Sequence, residues 1–179
     1  LTSYTGNQQT VEIATKPISP DQAACEILPT TVLTNTVLQT NQKPKVLIVE
    51  DNIINQKILA HMLKTGNYPC KVVSSGEEAV ELIKMQQKNL DAEQLDCILM
   101  DVMMPGGITG IEATQQIREL EKNNSNSAEQ NKKPVVIIGI SGNARDEYID
   151  IAHKVGMQDF LTKPATKAQI FAAINKYCS

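Results

Sequence analysis

Residues 45–51, Lys45-Val46-Leu47-Ile48-Val49-Glu50-Asp51, decide the fold, because an unbroken apolar run here ends in two carboxylates. Such a run is typical of a strand buried on both faces of a parallel sheet. Further short apolar runs follow, and they alternate with segments whose apolar residues recur at intervals of three and four. The predicted strands are 45–49, 70–73, 97–100, 135–140 and 159–162, and the predicted helices are one closed by Gly66 and those at 76–87, 110–122, 144–155 and 167–177. The alternation predicts an α/β fold with five parallel strands and helices on both faces.

The composition excludes several classes of function. Apolar residues make up 41% and charged residues 21% of the 179 residues, so the chain can form a packed core. The net charge of −3, with no tryptophan, argues against nucleic-acid binding. The four scattered cysteines indicate free thiols and neither a zinc site nor a disulfide framework. No apolar run approaches the roughly 18 residues of a membrane span, so we expect this segment to be soluble and cytoplasmic. This expectation leaves open a membrane anchor upstream in the parent protein.

The chain divides into two parts at Pro44. Residues 1–43 hold nine threonines, five glutamines and three prolines but only five charged residues, without a sustained apolar period. They are predicted to be a largely disordered linker, since they bury too little apolar surface to offset chain entropy. Residues 44–179 are the predicted domain. Because the sequence begins with Leu1, we expect it to be a piece of a longer protein that the linker joins to an upstream partner.

Chemically active side chains follow four of the five predicted strands. Glu50 and Asp51 come after the first strand, Asp101 after the third, Ser141 after the fourth and Lys163 after the fifth. Each alone has an ordinary reading as a helix cap, turn residue or surface charge, but open α/β sheets bind ligands beyond the carboxyl ends of their strands. Three clustered carboxylates suit Mg²⁺, and a lysine and a hydroxyl suit phosphoryl oxygens. One carboxylate could then act as nucleophile and form an acyl phosphate.

Four segments together carry a resemblance to a known family. They are Val49-Glu50-Asp51-Asn52, Met100-Asp101-Val102-Met103-Met104-Pro105, Ile140-Ser141-Gly142-Asn143-Ala144 and Phe160-Leu161-Thr162-Lys163-Pro164. The chain resembles a response-regulator receiver domain over residues 45–177, and the spacings of 50, 40 and 22 residues between Asp51, Asp101, Ser141 and Lys163 are close to the family pattern. The resemblance implies the flavodoxin-like strand order 2-1-3-4-5.

The resemblance also implies a role for each site residue. Asp101 matches the phosphoacceptor. Mg²⁺ would be held by Asp51, Asp101 and the Met103 carbonyl, with Glu50 acting through a water. Ser141 matches the switch hydroxyl, Lys163 matches the partner of a phosphoryl oxygen, and Phe160 matches the aromatic switch position. Such a domain would catalyse its own phosphorylation and dephosphorylation. Its partners would be a histidine kinase, a histidine phosphotransfer domain, or both. By family analogy they dock on the first helix, at Asn55, Ile58, Leu59 and Met62.

The subtype is predicted from residues 51–56, Asp51-Asn52-Ile53-Ile54-Asn55-Gln56, which resemble receivers of hybrid histidine kinases. Since the chain ends soon after its last predicted helix, we expect this domain to be the C-terminal receiver of a hybrid sensor kinase. The parent chain would then be a histidine kinase. The alternatives are a stand-alone single-domain response regulator, a degenerate receiver that only binds, and a Mg²⁺-dependent aspartyl-phosphate hydrolase. Met103 counts against the hydrolase, because that class places an acid/base aspartate two residues after the nucleophile.

Two loop features depart from the family or tune it. The family has four steps from the proline after the phosphoacceptor to a glycine, whereas Pro105 to Gly110 is five, so the detailed path of this loop is left open. In the family that the chain resembles, the lifetime of the acyl phosphate depends on the positions two after the phosphoacceptor and two after the switch hydroxyl, which are here Met103 and Asn143. Since Asn143 can hold a water and Met103 cannot, we expect hydrolysis of intermediate rate, slow enough for a relay.

Overall fold

The computed structural model describes residues 43–88, 94–125, 133–142 and 146–178. The strands are β1 (Val46–Val49), β2 (Cys70–Val73), β3 (Cys97–Asp101), β4 (Val136–Ser141) and β5 (Asp159–Thr162), and the helices are α1 (Ile53–Thr65), α2 (Gly76–Lys88), α3 (Gly110–Ser125), α4 (Asp146–Val155) and α5 (Lys167–Tyr177). All neighbouring strands pair in parallel, in the order β2-β1-β3-β4-β5. The predicted fold class and strand order are therefore confirmed. Apart from Lys43, the predicted linker lies outside the described residues.

The sheet separates two hydrophobic cores, because successive side chains of a strand point to opposite faces. Leu47 and Val49 of β1 face a core formed with α2, α3 and α4, whereas Val46 and Ile48 face the core formed with α1 and α5. β1, β3 and β4 are buried along their whole length, while β2 and β5, at the edges, are only partly covered. Burial on both faces explains why the inner strands read as continuous apolar runs.

Local capping fixes the two helices that pack on one face of the sheet. Asn52 caps α1, since its side-chain oxygen accepts hydrogen bonds from the backbone N–H groups of Ile54 and Asn55. Thr166 and Gln169 form a capping box at the start of α5. Both devices satisfy N–H groups that a helix leaves unpaired at its N-terminus. The cap at Asn52 matters most for function, because it starts α1 directly after Glu50 and Asp51, the two carboxylates that follow β1.

Candidate functional site

Strand register brings the predicted side chains to one edge of the sheet. Val49 pairs with Met100 between β1 and β3, and Asp101 pairs with Ile140 between β3 and β4. Asp101 is the last residue of β3 and Ser141 the last of β4. All strands are parallel, so these ends lie side by side and Glu50, Asp51 and Lys163 follow at the same edge.

The centre of the site is the ammonium group of Lys163. It donates to Oε2 of Glu50 at 2.6 Å and to Oδ2 of Asp101 at 2.7 Å. The two carboxylate side chains are only 1% and 6% exposed, whereas that of Lys163 is 26% exposed. One cation therefore neutralises two buried anions that would otherwise repel each other.

The surroundings shift the three pKa values in different directions. Burial raises the pKa of the Asp101 carboxyl, and hydrogen bonds from Lys163 and the Met103 N–H oppose it only in part. Burial also acts to raise the pKa of Glu50, but hydrogen bonds from Lys163 and Asn55 outweigh it, so this pKa lies below its usual value. The pKa of Lys163 is raised, because the two carboxylates outweigh its desolvation. The lysine is thus held charged, and Asp101 is the less well-stabilised anion of the pair.

Polar side chains from the start of α1 fix the position of Glu50. The Asn55 amide donates to Oε1 of Glu50 at 2.9 Å, so Lys163 and Asn55 hold different oxygens of one carboxylate. The buried Gln56 amide donates to the Glu50 backbone carbonyl at 2.7 Å and to the Ser74 hydroxyl at 3.2 Å. Sequence reasoning assigned Asn55 to partner docking alone and gave Gln56 no role. Their place in the first turn of α1, five and six residues after Glu50, is the signal that points to this contact.

A third carboxylate completes an acidic cluster. Oxygens of Glu50, Asp51 and Asp101 lie within 4.8 Å of one another. Asp51 is exposed, unlike the other two, so the cluster opens to solvent on its side. An all-oxygen set of this charge is of the kind that Mg²⁺ prefers. The Met103 backbone N–H donates to Oδ1 of Asp101 at 3.1 Å, and the Met103 side chain is exposed.

The two predicted switch residues lie on neighbouring strands. Ser141 is buried, and its backbone carbonyl accepts a hydrogen bond from the backbone N–H of Lys163 at 2.7 Å. Phe160 is half-buried on β5, and its ring lies 3.1 Å from the position that a Cβ on Gly139 would take. The missing side chain at Gly139 thus gives the Phe160 ring its place beside β4. Asn143 lies outside the described residues.

The loop from Pro105 to Gly110 is held at two points. The backbone N–H of Ile108 donates to Oε1 of Glu77, at the start of α2, at 2.8 Å. Gly110 begins α3 so close to the backbone of Asp101 that a Cβ there would collide with the Asp101 carbonyl oxygen. These contacts give the path that sequence reasoning left open, and they fix the loop to both α2 and β3.

The predicted docking residues divide between surface and core. Ile58 is 48% exposed, together with Ile53 at 59% and Ile54 at 64%. Leu59, in contrast, is buried, and Met62 packs against the same core of α1 and α5. The exposed apolar surface of α1, which we call the isoleucine face, is therefore Ile53, Ile54 and Ile58. Leu59 is not available to a partner, because its side chain is used to pack α1 on the sheet.

The response regulator receiver domain model matches residues 46–175. The chain belongs to this family. Hybrid signal transduction histidine kinase B of Dictyostelium discoideum is 40% identical over 134 residues, which are 74% of this chain but 6% of that protein. This receiver domain thus corresponds to a small part of that relative.

Solved receiver domains agree with this assignment. The receiver domain of the response regulator Ssk1 of Saccharomyces cerevisiae, crystallised with the histidine phosphotransfer protein Ypd1, is 34% identical, with a TM-score of 0.67 over 76% of this chain and 90% of that one. The receiver domain of a sensor histidine kinase of Pseudomonas aeruginosa, with a magnesium ion in its active-site cleft, is 28% identical, with a TM-score of 0.60 over 76% of this chain and 98% of that one.

Within the described ranges, no helix has the length and apolar character needed to cross a membrane.

Proposed function

We propose that this receiver domain accepts a phosphoryl group on Asp101 from a phosphohistidine. The observation that carries the proposal is the Lys163 ammonium, which touches Asp101 and Glu50 at once. A carboxylate oxygen of Asp101 attacks phosphorus, the P–N bond breaks, and its electron pair returns to the imidazole of the donor. Lys163 lies beside the oxygen that becomes part of the acyl phosphate, so it can offset the charge of the incoming group.

The acidic cluster fits a magnesium ion. Glu50, Asp51 and Asp101 supply oxygen donors close enough to share one cation. Mg²⁺ would supply positive charge where three carboxylates meet the phosphoryl oxygens. Asp51 is the member of the cluster that a metal ion from solvent reaches first, since it is exposed while the other two are buried.

Labelling with acetyl phosphate or a labelled phosphohistidine donor tests the phosphoacceptor. We expect Mg²⁺-dependent labelling that Asp101→Asn abolishes. Asp96→Asn is the matched control, because Asp96 precedes the same strand at its opposite end. Labelling of Asp101→Asn, or labelling that EDTA leaves unchanged, would contradict the proposal. Release of free phosphate as fast as label is supplied would favour the hydrolase alternative instead.

The contact between Phe160 and β4 supports a switch coupled to phosphorylation. If Ser141 moves towards the phosphoryl group, the Phe160 ring can follow beside Gly139, which has no side chain of its own and where the ring packs next to Met157. NMR shifts on adding beryllofluoride, a stand-in for the phosphoryl group, should therefore appear at Ser141, Phe160 and residues 144–148. Changes limited to the carboxylates and Lys163 would refute the switch.

The isoleucine face supports docking of a histidine phosphotransfer domain on α1. Three exposed isoleucines at the end of α1 next to Glu50 form an apolar surface beside the phosphoacceptor site. The complex of the Ssk1 receiver with Ypd1 makes this the class of partner to test. Ile58→Asp should lower the rate of phosphotransfer at least tenfold. Ile151→Asp is the control, because Ile151 is similarly exposed, at 43%, but lies on α4. Equal transfer rates in the two variants would rule out this docking surface.

We also propose a hybrid histidine kinase as the parent protein, with this segment in the cytoplasm. The similarity to hybrid kinase B of D. discoideum supports the proposal. The coding sequence upstream of Leu1 tests it, since a dimerisation-phosphorylation helix pair and an ATP-binding domain are expected there. A chain that starts shortly before Leu1 would favour the stand-alone regulator.

A further inference from the structure

Two cysteines lie together at the end of the sheet opposite the carboxylate site. Cys97 is the first residue of β3, and Cys178 directly follows α5. Ile170, Ile174 and Cys178 are spaced by four, so they share the face of α5 that packs on the sheet. Cys178 accordingly packs against the same hydrophobic cluster as Cys97. The Cys178 thiol donates a hydrogen bond to the carbonyl oxygen of Asp96, the residue before Cys97, with its sulfur 3.8 Å from that oxygen.

The pair has one protected and one accessible member. Cys97 is fully buried, whereas Cys178 is half-buried. A partly open cavity of about 80 Å³ lies against Cys178, and its walls also include Asp96 and Tyr177. A space of this size accepts a molecule as small as hydrogen peroxide.

We propose that Cys97 and Cys178 are a redox-modification site, where a peroxide drives formation of a reversible intramolecular disulfide. The Cys178 thiolate attacks one peroxide oxygen, the O–O bond breaks, and a sulfenic acid forms with release of hydroxide, which takes up the proton that the Cys178 thiol lost and becomes one water. The Cys97 sulfur then attacks the Cys178 sulfur, the S–O bond breaks, and a second water leaves with the Cys97 proton. The two thiols lose two electrons and the peroxide gains them.

The electrostatics of the pair assign the order of the two steps. Interaction with the neighbouring Cys178 thiol, together with burial, raises the pKa of the Cys97 thiol well above its usual value. The same interaction lowers the pKa of Cys178, outweighing the effect of burial. Cys178 therefore carries more thiolate as well as more exposure, and these two properties make a thiol susceptible to peroxide.

Cys70 provides a geometric control within the chain. Val46 of β1 pairs with Cys70 on one side and with Cys97 on the other. Two strand spacings place the Cys70 and Cys97 backbones roughly 10 Å apart, and a disulfide requires Cα atoms within about 7 Å. Cys70 cannot replace Cys178 as the partner of Cys97. The sequence alone predicted only free thiols, because the closeness of residues 97 and 178 arises from the fold.

The disulfide would tie the C-terminal end of α5 to β3. This end is also held by the hydrogen bond from the Tyr68 hydroxyl to Oδ1 of Asn175 at 2.7 Å, by that from the Cys178 N–H to the Ile174 carbonyl, and by a long Lys176–Asp159 ion pair at 3.9 Å. A covalent link here restricts opening of the last turn of α5. The site lies at the far end of the sheet from Asp101, so it adds an input distinct from the proposed phosphotransfer.

The experiment treats the 179-residue chain with hydrogen peroxide, blocks remaining thiols with N-ethylmaleimide under denaturing conditions, and measures intact mass. We expect two fewer maleimide adducts, full recovery with dithiothreitol, and a cross-linked peptide pair containing Cys97 and Cys178 in a non-reducing digest. Hydrogen exchange at the Cys178 amide should slow at least tenfold on oxidation. Cys178→Ser should abolish all three effects, whereas Cys70→Ser should leave them unchanged.

Three results would overturn the proposal. One is retention of all maleimide adducts at peroxide concentrations that oxidise exposed thiols. Another is a cross-link that joins other cysteines, or joins two chains. The third is conversion of Cys178 to sulfinic acid without any bond to Cys97. Each is read by the same mass spectra and is independent of whether Asp101 accepts phosphate.

Discussion

Replacing Lys163 with methionine tests the electrostatic account of the site most directly. Lys163→Met keeps an unbranched side chain of similar length but removes the charge that touches Glu50 and Asp101. The two carboxylates are then left buried, close together and without their shared cation. We expect the folded state to be destabilised near neutral pH while the hydrophobic cores stay intact.

The structure sets the size of this effect. Each hydrogen bond to a charged group contributes about 1.5–3 kcal/mol, and removing one partner of a buried ion pair costs about 3–5 kcal/mol. Lys163 is 26% exposed, so solvent screening reduces these values. The carboxylates can also take up a proton, which limits the penalty. We therefore expect a loss of about 2–4 kcal/mol in the free energy of unfolding near neutral pH.

The sign of the pH dependence follows from the same contacts. Without Lys163, the folded-state pKa of Glu50 rises above its unfolded value, and that of Asp101, which burial already raises in the wild type, rises further, so the folded chain binds more protons in mildly acidic solution. The difference from the wild type should therefore shrink as the pH falls towards about 5. In the wild type, the lowered pKa of Glu50 stabilises the folded state above the carboxyl range, and this contribution is lost as the pH falls through that range.

Urea unfolding followed by circular dichroism measures the effect, since the chain has no tryptophan to serve as a fluorescent probe. Lys176→Met is the matched control, because the Lys176 side chain is 65% exposed and its ammonium lies 3.9 Å from Oδ2 of Asp159. We expect no measurable change in that variant. Lys163 does not hold the two carboxylates in this way if Lys163→Met costs no more stability than Lys176→Met near neutral pH, or if its cost is the same in acid.

Three further predictions address the metal site, the backbone and the acyl phosphate. Asp51→Asn should weaken Mg²⁺ binding at least tenfold, as measured by titration calorimetry. The urea midpoint should not change, because Asp51 is exposed. An unchanged affinity would show that Asp51 is not a ligand of the metal ion. Gly110→Ala should cost about 2 kcal/mol or more in urea unfolding, because a Cβ collides with the Asp101 carbonyl, whereas Gly142→Ala, with nothing within 4 Å, should cost far less. Met103→Glu should speed the decay of labelled Asp101, since a carboxylate can orient and activate water and the exposed thioether cannot; an unchanged decay rate would show that this position does not control hydrolysis.

The fold was predictable because its signals are local and agree with one another. Each inner strand is an unbroken apolar run, and each helix has its own apolar stripe, as in the strand Cys97–Asp101 and the helix Lys167–Tyr177. The positions of Asp101 and Lys163 followed as well, because residues after parallel strands must meet at one edge. The strand order came from a family resemblance, since residue patterns within a strand do not reveal its neighbours.

Contacts between distant side chains could not be predicted in the same way. The sequence treats Leu59 and Ile58 as equivalent apolar residues of one helix, yet one packs in the core and the other is exposed, which depends on how α1 rotates on the sheet. Likewise, Cys97 and Cys178 are scattered in sequence and adjacent in space. Such pairings depend on packing angles and register, to which a single sequence gives no direct access.

The first turns of α1 connect partner binding to the proposed chemistry. Ile54 and Ile58 lie on the isoleucine face, while Asn55, between them in sequence, donates to Oε1 of Glu50. A partner that shifts this end of α1 therefore acts on the carboxylate whose other oxygen binds Lys163. Because Lys163 also binds Asp101, docking at the proposed surface can alter the charge balance at the proposed phosphoacceptor through two hydrogen bonds to Glu50, one from Asn55 and one from Lys163. A mutation at Asn55 should consequently affect Mg²⁺ binding even when no partner is present, which separates its role from that of Ile58.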